Sequence, residues 1–139
     1  MKKELLIGQS ASISKVFSIE DVEQFADLSE DRNPVHLDKV YAKSTIFKQQ
    51  IVHGMLTASL FSALLGEKLP GKGTIYLGQT LSFTAPVPIG EKVTASVKIT
   101  NIRDDKPIIT LRTLCVDSRG NTVIEGEAVV RVPHKNDIY

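Results

Sequence analysis

Residues 54–65 read Gly-Met-Leu-Thr-Ala-Ser-Leu-Phe-Ser-Ala-Leu-Leu, a run without a single charge. Only Thr57, Ser59 and Ser62 carry polar side chains in it, and each is small. A helix apolar nearly all round has to be buried, and at about a dozen residues this one is too short to span a bilayer, which takes ~20. The breakers Pro70, Gly71 and Gly73 follow it. The remainder of the chain must therefore wrap this helix, predicted over about residues 54–66.

The second half supplies the wrapping. Residues 92–102 alternate, with Val93, Ala95, Val97 and Ile99 on one face and Lys92, Thr94, Ser96, Lys98 and Thr100 on the other. Residues 108–116 read as another strand, Asp117 to Asn121 as a hairpin turn, and residues 122–132 as the last strand. In that strand Ile124, Gly126, Ala128, Val130 and Val132 share a face. Thr74 to Ala85 reads as one further strand, closed by Pro86-Val87-Pro88. Short turns between strands make the sheet antiparallel. Upstream, residues 12–17 suit a short strand, and Ser18 is placed to cap an amphipathic helix carrying Ile19, Val22, Phe25 and Ala26 to about Ser29. The expectation is a single α+β domain over residues 1–139: a hot-dog fold, an antiparallel sheet of roughly five strands around a buried central helix. Such a sheet leaves edges, and hot-dog proteins usually pair them, so a homodimer is expected.

Between the two helices lies the one irregular stretch that concentrates titratable groups, Asp31-Arg32-Asn33-Pro34-Val35-His36-Leu37-Asp38. Pro34 restricts Asn33 to extended conformations, so Asp31 to His36 is predicted as loop or tight turns, in which acid and imidazole converge. Asp38 is placed to cap a short helix from Lys39 to about Ser44. His53-Gly54 then opens the apolar helix, whose N-terminus favours negative charge. Taken singly these residues have ordinary readings. Asp31 suits a turn, His36 a surface, His53 a cap or a packed ring, Gly54 a helix entry, and Ser62 a bond to its own helix. Thr57 and Ser59 read as packing residues, Cys115 as a buried hydrophobe, and residues 133–139 as a frayed tail.

Composition excludes more than it assigns. The chain is 42% hydrophobic and 24% charged, with net charge +1 and no block of either sign, so no nucleic-acid footprint is expected. No stretch is apolar for long enough to suggest a secretory leader or a membrane span. A single cysteine rules out an internal disulfide and is compatible with the cytoplasm. Asp31, His36 and His53 reach a metal-ligand count, but without a recognised motif spacing.

Asp31-Arg32-Asn33-Pro34-Val35-His36-Leu37-Asp38, followed by Val52-His53-Gly54-Met55, closely resembles the signature of MaoC-like hot-dog proteins. Within them it looks most like the short (R)-specific enoyl-CoA hydratases associated with polyhydroxyalkanoate synthesis. Leu69 to Gly73, Gln79 to Phe83 and Glu125 to Ala128 resemble them too, so the likeness covers nearly the whole chain. It departs at Glu30, where the family often has Gly. The resemblance implies reversible syn hydration of a trans-2-enoyl-CoA to an (R)-3-hydroxyacyl-CoA, with the CoA thioester as substrate and no metal or redox cofactor. It implies Asp31 and His36 as the catalytic pair and the Gly54 amide as oxyanion donor. Asn33, His53 and Ser62 are taken as supporting residues. Arg32, Lys72, Arg103 and Lys106 stand as candidates for the CoA phosphates. Three alternatives stay open. A (3R)-hydroxyacyl-acyl-carrier-protein dehydratase would use the same dyad, and a non-catalytic acyl-CoA-binding module would keep only the fold. A hot-dog thioesterase usually carries an acid on the central helix, and residues 54–65 have none.

Overall fold

Alternation sets the sheet. In the computed structural model, which describes residues 4–133, Val93, Ala95, Val97 and Ile99 of β4 (Lys92–Ile102) are all fully buried, and the intervening residues face outward. β4 pairs antiparallel with β1 (Ser10–Val16) on one side and β5 (Ile108–Val116) on the other. β5 continues into β6 (Thr122–Arg131) through the Asp117–Asn121 turn, where Asp117 Oδ1 accepts the Arg119 and Asn121 N–H groups. β6 pairs with β2 (Ile75–Gln79), giving the order β1-β4-β5-β6-β2. The two-residue β3 (Ser82–Phe83) also pairs with β6, making six strands.

The single strand expected from Thr74 to Ala85 is broken. Thr80 donates its N–H to the Glu127 carbonyl and accepts the Glu127 N–H on its hydroxyl, and a bulge interrupts the register between Tyr76 and Gly78. The Thr80 carbonyl lies against Gly126 so closely that a Cβ there would sit 1.8 Å from it. The run bends over a glycine, which no period in the run itself could reveal.

The helices carry the site. α1 (Ile19–Ser29) starts with a reciprocal capping box, Asp21 N–H to Ser18 Oγ and Ser18 N–H to Asp21 Oδ2. Over Asp31 to His36, where loop or tight turns were expected, residues 31–33 are loop and α2 (Pro34–Leu37) is one helical turn. Pro34 occupies its first position, where a missing N–H costs nothing, and the Asn33 side chain caps it. α3 (Lys39–Lys43) is capped by Asp38 as expected. α4 (Gly54–Glu67) buries Leu60, Phe61, Leu64 and Leu65 against the sheet in one cluster with Val97, Leu111 and Val130. Cys115 lies in that cluster, and burial pushes its thiol up to about 11.

α4 is not enclosed, however. Met55, Ser59 and Ser62 line an exposed face, because the sheet covers only the opposite side. Ser59 is therefore not the packing residue the sequence suggests. The tail expected over residues 133–139 lies, from 134 on, outside the described residues.

Glu30 closes α1 in the left-handed region, with φ 66°. The backbone turn expected of the family's glycine is kept, at a steric cost of about 1–2 kcal/mol to a side-chain-bearing residue. Glu30→Gly is expected to stabilise the protein by about 1 kcal/mol, less the extra unfolded-state entropy of glycine, measured as a higher urea midpoint at unchanged slope.

Candidate active site

The turn at Glu30 delivers Asp31 to the top of the core. Its N–H donates to Ser29 Oγ (3.1 Å), and its Oδ1 accepts the Asn33 N–H (3.2 Å). One carboxylate oxygen is thereby fixed by backbone and the other left for solvent or substrate. Asn33 accepts the Val35 N–H on its side chain (3.2 Å) and so caps the turn that carries His36.

His36 is buried on that turn and fixed on both sides. Its Nδ1 lies 2.7 Å from the Ile51 carbonyl, and its own carbonyl accepts the Gln50 amide at 2.9 Å. A carbonyl only accepts, so Nδ1 carries the proton and the neutral ring presents its lone pair at Nε2. Burial is the main cause that holds the imidazole below its ordinary value of 6.5. Between the folded value and 6.5 the unfolded chain binds more protons, so this contribution to stability is complete above 6.5 and is lost as pH falls through the folded value. Acidification from pH 7.5 to 5.5 is expected to lower the melting temperature of the native protein more than that of His36→Gln. The acid limb of kcat/KM, if it reports His36, is expected below 6.5.

His53 completes the cluster from the other side. Its Nε2 donates to the Asp31 carbonyl (2.9 Å), its ring stacks on His36 with centroids 3.8 Å apart and planes at 25°, and Phe25 meets it edge-on at 4.8 Å. It is almost fully buried, and its Nδ1 has no partner among the described residues. Candidate ligand atoms of Asp31, His36 and His53 all lie within 4.8 Å of one another. Two stacked rings hold their lone pairs in neighbouring planes, whereas a metal needs them to converge at about 2.0–2.1 Å. The arrangement suits proton transfer better than coordination. It brings Asp31 and His36 together, with His53 bonded to the backbone of one and stacked on the ring of the other.

Gly54 follows as the first residue of α4, and His53 gives that helix no side-chain cap. Among the described residues the N–H groups of Gly54, Met55 and Leu56 find no acceptor. A helix start beside the dyad thus offers free donors to an anion. The φ of Gly54 is not positive, so left-handed backbone is not the reason for glycine. A Cβ would instead lie 2.6 and 2.7 Å from the Phe83 ring. Phe83 is a site neighbour that sequence reasoning missed. Its only signal was its place in the Gln79–Phe83 stretch, since nothing in the sequence brings β3 to the start of α4.

Ser62 is not brought to the dyad. Two turns along α4 it stands roughly 12 Å from Gly54 at 1.5 Å per residue. It lines an open cavity of about 480 Å³ with Met55, Ser59, Tyr76, Leu77 and Leu81. Two of the cations considered for phosphate contact are already engaged, Arg32 with Asp27 (3.3 Å) and Arg103 forked onto Asp105 (2.9 and 2.7 Å).

Residues 6–118 match the model of the MaoC like domain. The chain is 55% identical to an (R)-specific enoyl-CoA hydratase of Aeromonas caviae over 94% of its length and 98% of the relative. It is 52% identical to an (R)-specific enoyl-CoA hydratase of Rhodospirillum rubrum over 91% of its length and 87% of that protein. Among solved structures, the (R)-hydratase from A. caviae involved in polyhydroxyalkanoate biosynthesis superposes with a TM-score of 0.93, covering 94% of this chain and 99% of that one.

Proposed function

Because the chain belongs to the MaoC-like domain family, we infer that it acts as an (R)-specific enoyl-CoA hydratase. It is a hydro-lyase that adds water reversibly across the double bond of a trans-2-enoyl-CoA to give an (R)-3-hydroxyacyl-CoA. The single observation that supports the site assignment is the convergence of Asp31 and His36, whose candidate ligand atoms lie within 4.8 Å of one another, a separation one water can bridge.

The chemistry follows from those two acceptors. As the water oxygen forms its bond to C3, the dyad takes a proton from it. The electron pair of the alkene moves toward the thioester, whose oxygen gains enolate-like charge. The dyad then delivers a proton to C2 and returns to its starting state, so one O–H bond is broken and C3–O and C2–H are formed. Water and proton come from one pair of groups on one face of the alkene, which makes the addition syn. The developing oxyanion takes the Gly54 N–H at the α4 terminus, where the donor is already in place and the helix dipole favours the charge. His53 holds the Asp31 backbone and supports the His36 ring. The acyl chain lies in the apolar cavity along α4 that includes Ser62. Nothing in this sequence of steps calls for a metal or redox cofactor.

The same reading asks for a partner. The open face of α4 and the free edge of β2 expose Met55, Ile75, Tyr76, Leu77 and Phe83 together, each at least 40% accessible. A second copy packed there across a two-fold would bury this patch, pair the sheet edges and close the cavity into a tunnel. A homodimer is expected by light scattering at micromolar concentration, and Leu77→Lys on the exposed edge is expected to shift it toward monomer and lower activity. The enzyme is read as cytoplasmic, in keeping with its CoA substrate and its single buried thiol.

Incubation with crotonyl-CoA tests the function. Loss of the conjugated thioester absorbance with (R)-3-hydroxybutyryl-CoA as product is expected. Exclusively (S) product, or release of free CoA, would overturn the reading.

A further inference from the structure

One turn of helix does not hold itself. Forming it orders several residues for a single internal hydrogen bond, and its last carbonyls have no donors within the turn. α2 is that short, and its carbonyls are met by neighbours. Pro34 O accepts the Asp38 N–H (2.8 Å), Val35 O the Ile51 N–H (3.3 Å), and His36 O the side-chain amide of Gln50 (2.9 Å). The His36 ring in turn donates from Nδ1 to the Ile51 carbonyl (2.7 Å). We infer that Gln50 is a positioning residue for His36, one that fixes through its backbone where the imidazole of the dyad stands. The inference rests on the hydratase reading above.

The grip is two-pointed. Adjacent residues hold His36, Gln50 by the carbonyl and Ile51 by the ring, so neither backbone nor imidazole turns without breaking a bond. Both grips start from an anchored stretch. Gln50 O accepts the Ile89 N–H (3.2 Å), Ile51 bridges antiparallel to Pro88, and Val52 donates to Val87 O (2.8 Å). Val52 and Val87 belong to the buried core cluster. Residues 50–52 thus lie along 87–89 like a short strand, and Gln50 reaches from there to a turn 14 residues back in the chain. His53, next in line, bonds to the Asp31 carbonyl, so one short stretch fastens both halves of the dyad.

Relative magnitudes separate position from stability. The net gain from a neutral hydrogen bond is about matched by the entropy lost in ordering a glutamine side chain, so the Gln50 bond adds little to stability. Proton transfer is less forgiving. It needs heavy atoms about 2.6–3.2 Å apart, and a misplacement of about 1 Å can cost about 10²-fold in rate. The Nδ1–H tautomer, which leaves the lone pair at Nε2, persists only while the ring stays in register with the Ile51 carbonyl.

The test uses Gln50→Met, which keeps the length and removes the donor, and Gln50→Lys, which restores one. Gln50 is half-buried, so both should fold. At pH 8, above the acid limb, kcat for crotonyl-CoA is expected to fall about 3–30-fold in Gln50→Met. KM should stay within about twofold and the melting temperature within a few degrees, because a displaced imidazole affects the reacting step and not the binding. Gln50→Lys is expected to recover most of the loss. Its cation should also move the acid limb of kcat/KM to lower pH, and the carboxylate of Gln50→Glu should move it higher, each by about half a unit or more. The His36 ring gives a readout independent of turnover. In proton–nitrogen correlation spectra the native ring is expected as the Nδ1–H tautomer, with that proton exchanging at least about tenfold faster in Gln50→Met. Unchanged kcat, acid limb and exchange across the variants would overturn the inference. A melting temperature that falls together with kcat in both Gln50→Met and Gln50→Lys would overturn it in favour of a purely structural bond. A native chain inactive on crotonyl-CoA would instead refute the hydratase reading, and proton exchange at His36 would still decide whether Gln50 fixes the ring.

Discussion

Asp31→Asn and His36→Gln are each expected to lower kcat by at least about 10²-fold, the lower end of what a positioned acid or base contributes. Neither change should unfold the protein. Asp31 is exposed and among the described residues its side chain holds only the Asn33 N–H, and the amide of asparagine can accept the same bond. His36 is buried, but a glutamine can still donate to the Ile51 carbonyl. The double variant carries the sharper information. If both groups hold one water, removing either disables it, and the second loss adds little to the first. Losses that multiply would assign the residues to separate steps and remove the shared water from the mechanism. Stereochemistry checks the same point independently, because a single water and proton source on one face predicts syn addition of deuterium and hydroxyl in heavy water.

Gly54→Ala should separate catalysis from packing. Its φ is not positive, so alanine meets no left-handed backbone, and helix propensity favours the substitution by up to about 1 kcal/mol. The new methyl must displace the Phe83 ring, now 2.6 Å from where it would lie. That ring is 52% exposed and can swing outward, so the melting temperature should move by only a few degrees. The expected change in kcat is a fall of about 10–10³-fold, because the methyl stands beside the N–H that meets the developing charge. A second variant isolates the cause. In Gly54→Ala/Phe83→Ala the clash is gone, and kcat should remain at least about tenfold below that of Phe83→Ala alone. Full recovery would make Gly54 a packing residue for Phe83 and send the oxyanion to another donor, with the neighbouring Met55 and Leu56 amides the nearest free ones.

The sequence by itself determined whatever depends on local pattern. An uncharged dozen residues could only be a central helix, and alternation at 93, 95, 97 and 99 could only be a core-facing strand, because burial favours side chains by period. Ser18 and Asp38 announced their helices through side chains that accept nearby N–H groups. Asp31, His36 and Gly54 were legible as a candidate site because their order and spacing resemble a family signature, a likeness that implies roles but carries no distances. Tertiary structure decided the rest. The helical turn that Pro34 begins under the Asn33 cap is local too, but that the Thr80 strand breaks depends on Gly126 lying 46 residues away. His53 came to stack on His36 only when folding set its ring 3.8 Å away, and Phe83 came against Gly54 only when β3 reached α4. The open face of α4 shows the limit most plainly. Sequence hydrophobicity states that a surface prefers to leave water, while the fold decides whether the chain itself covers it or leaves it exposed.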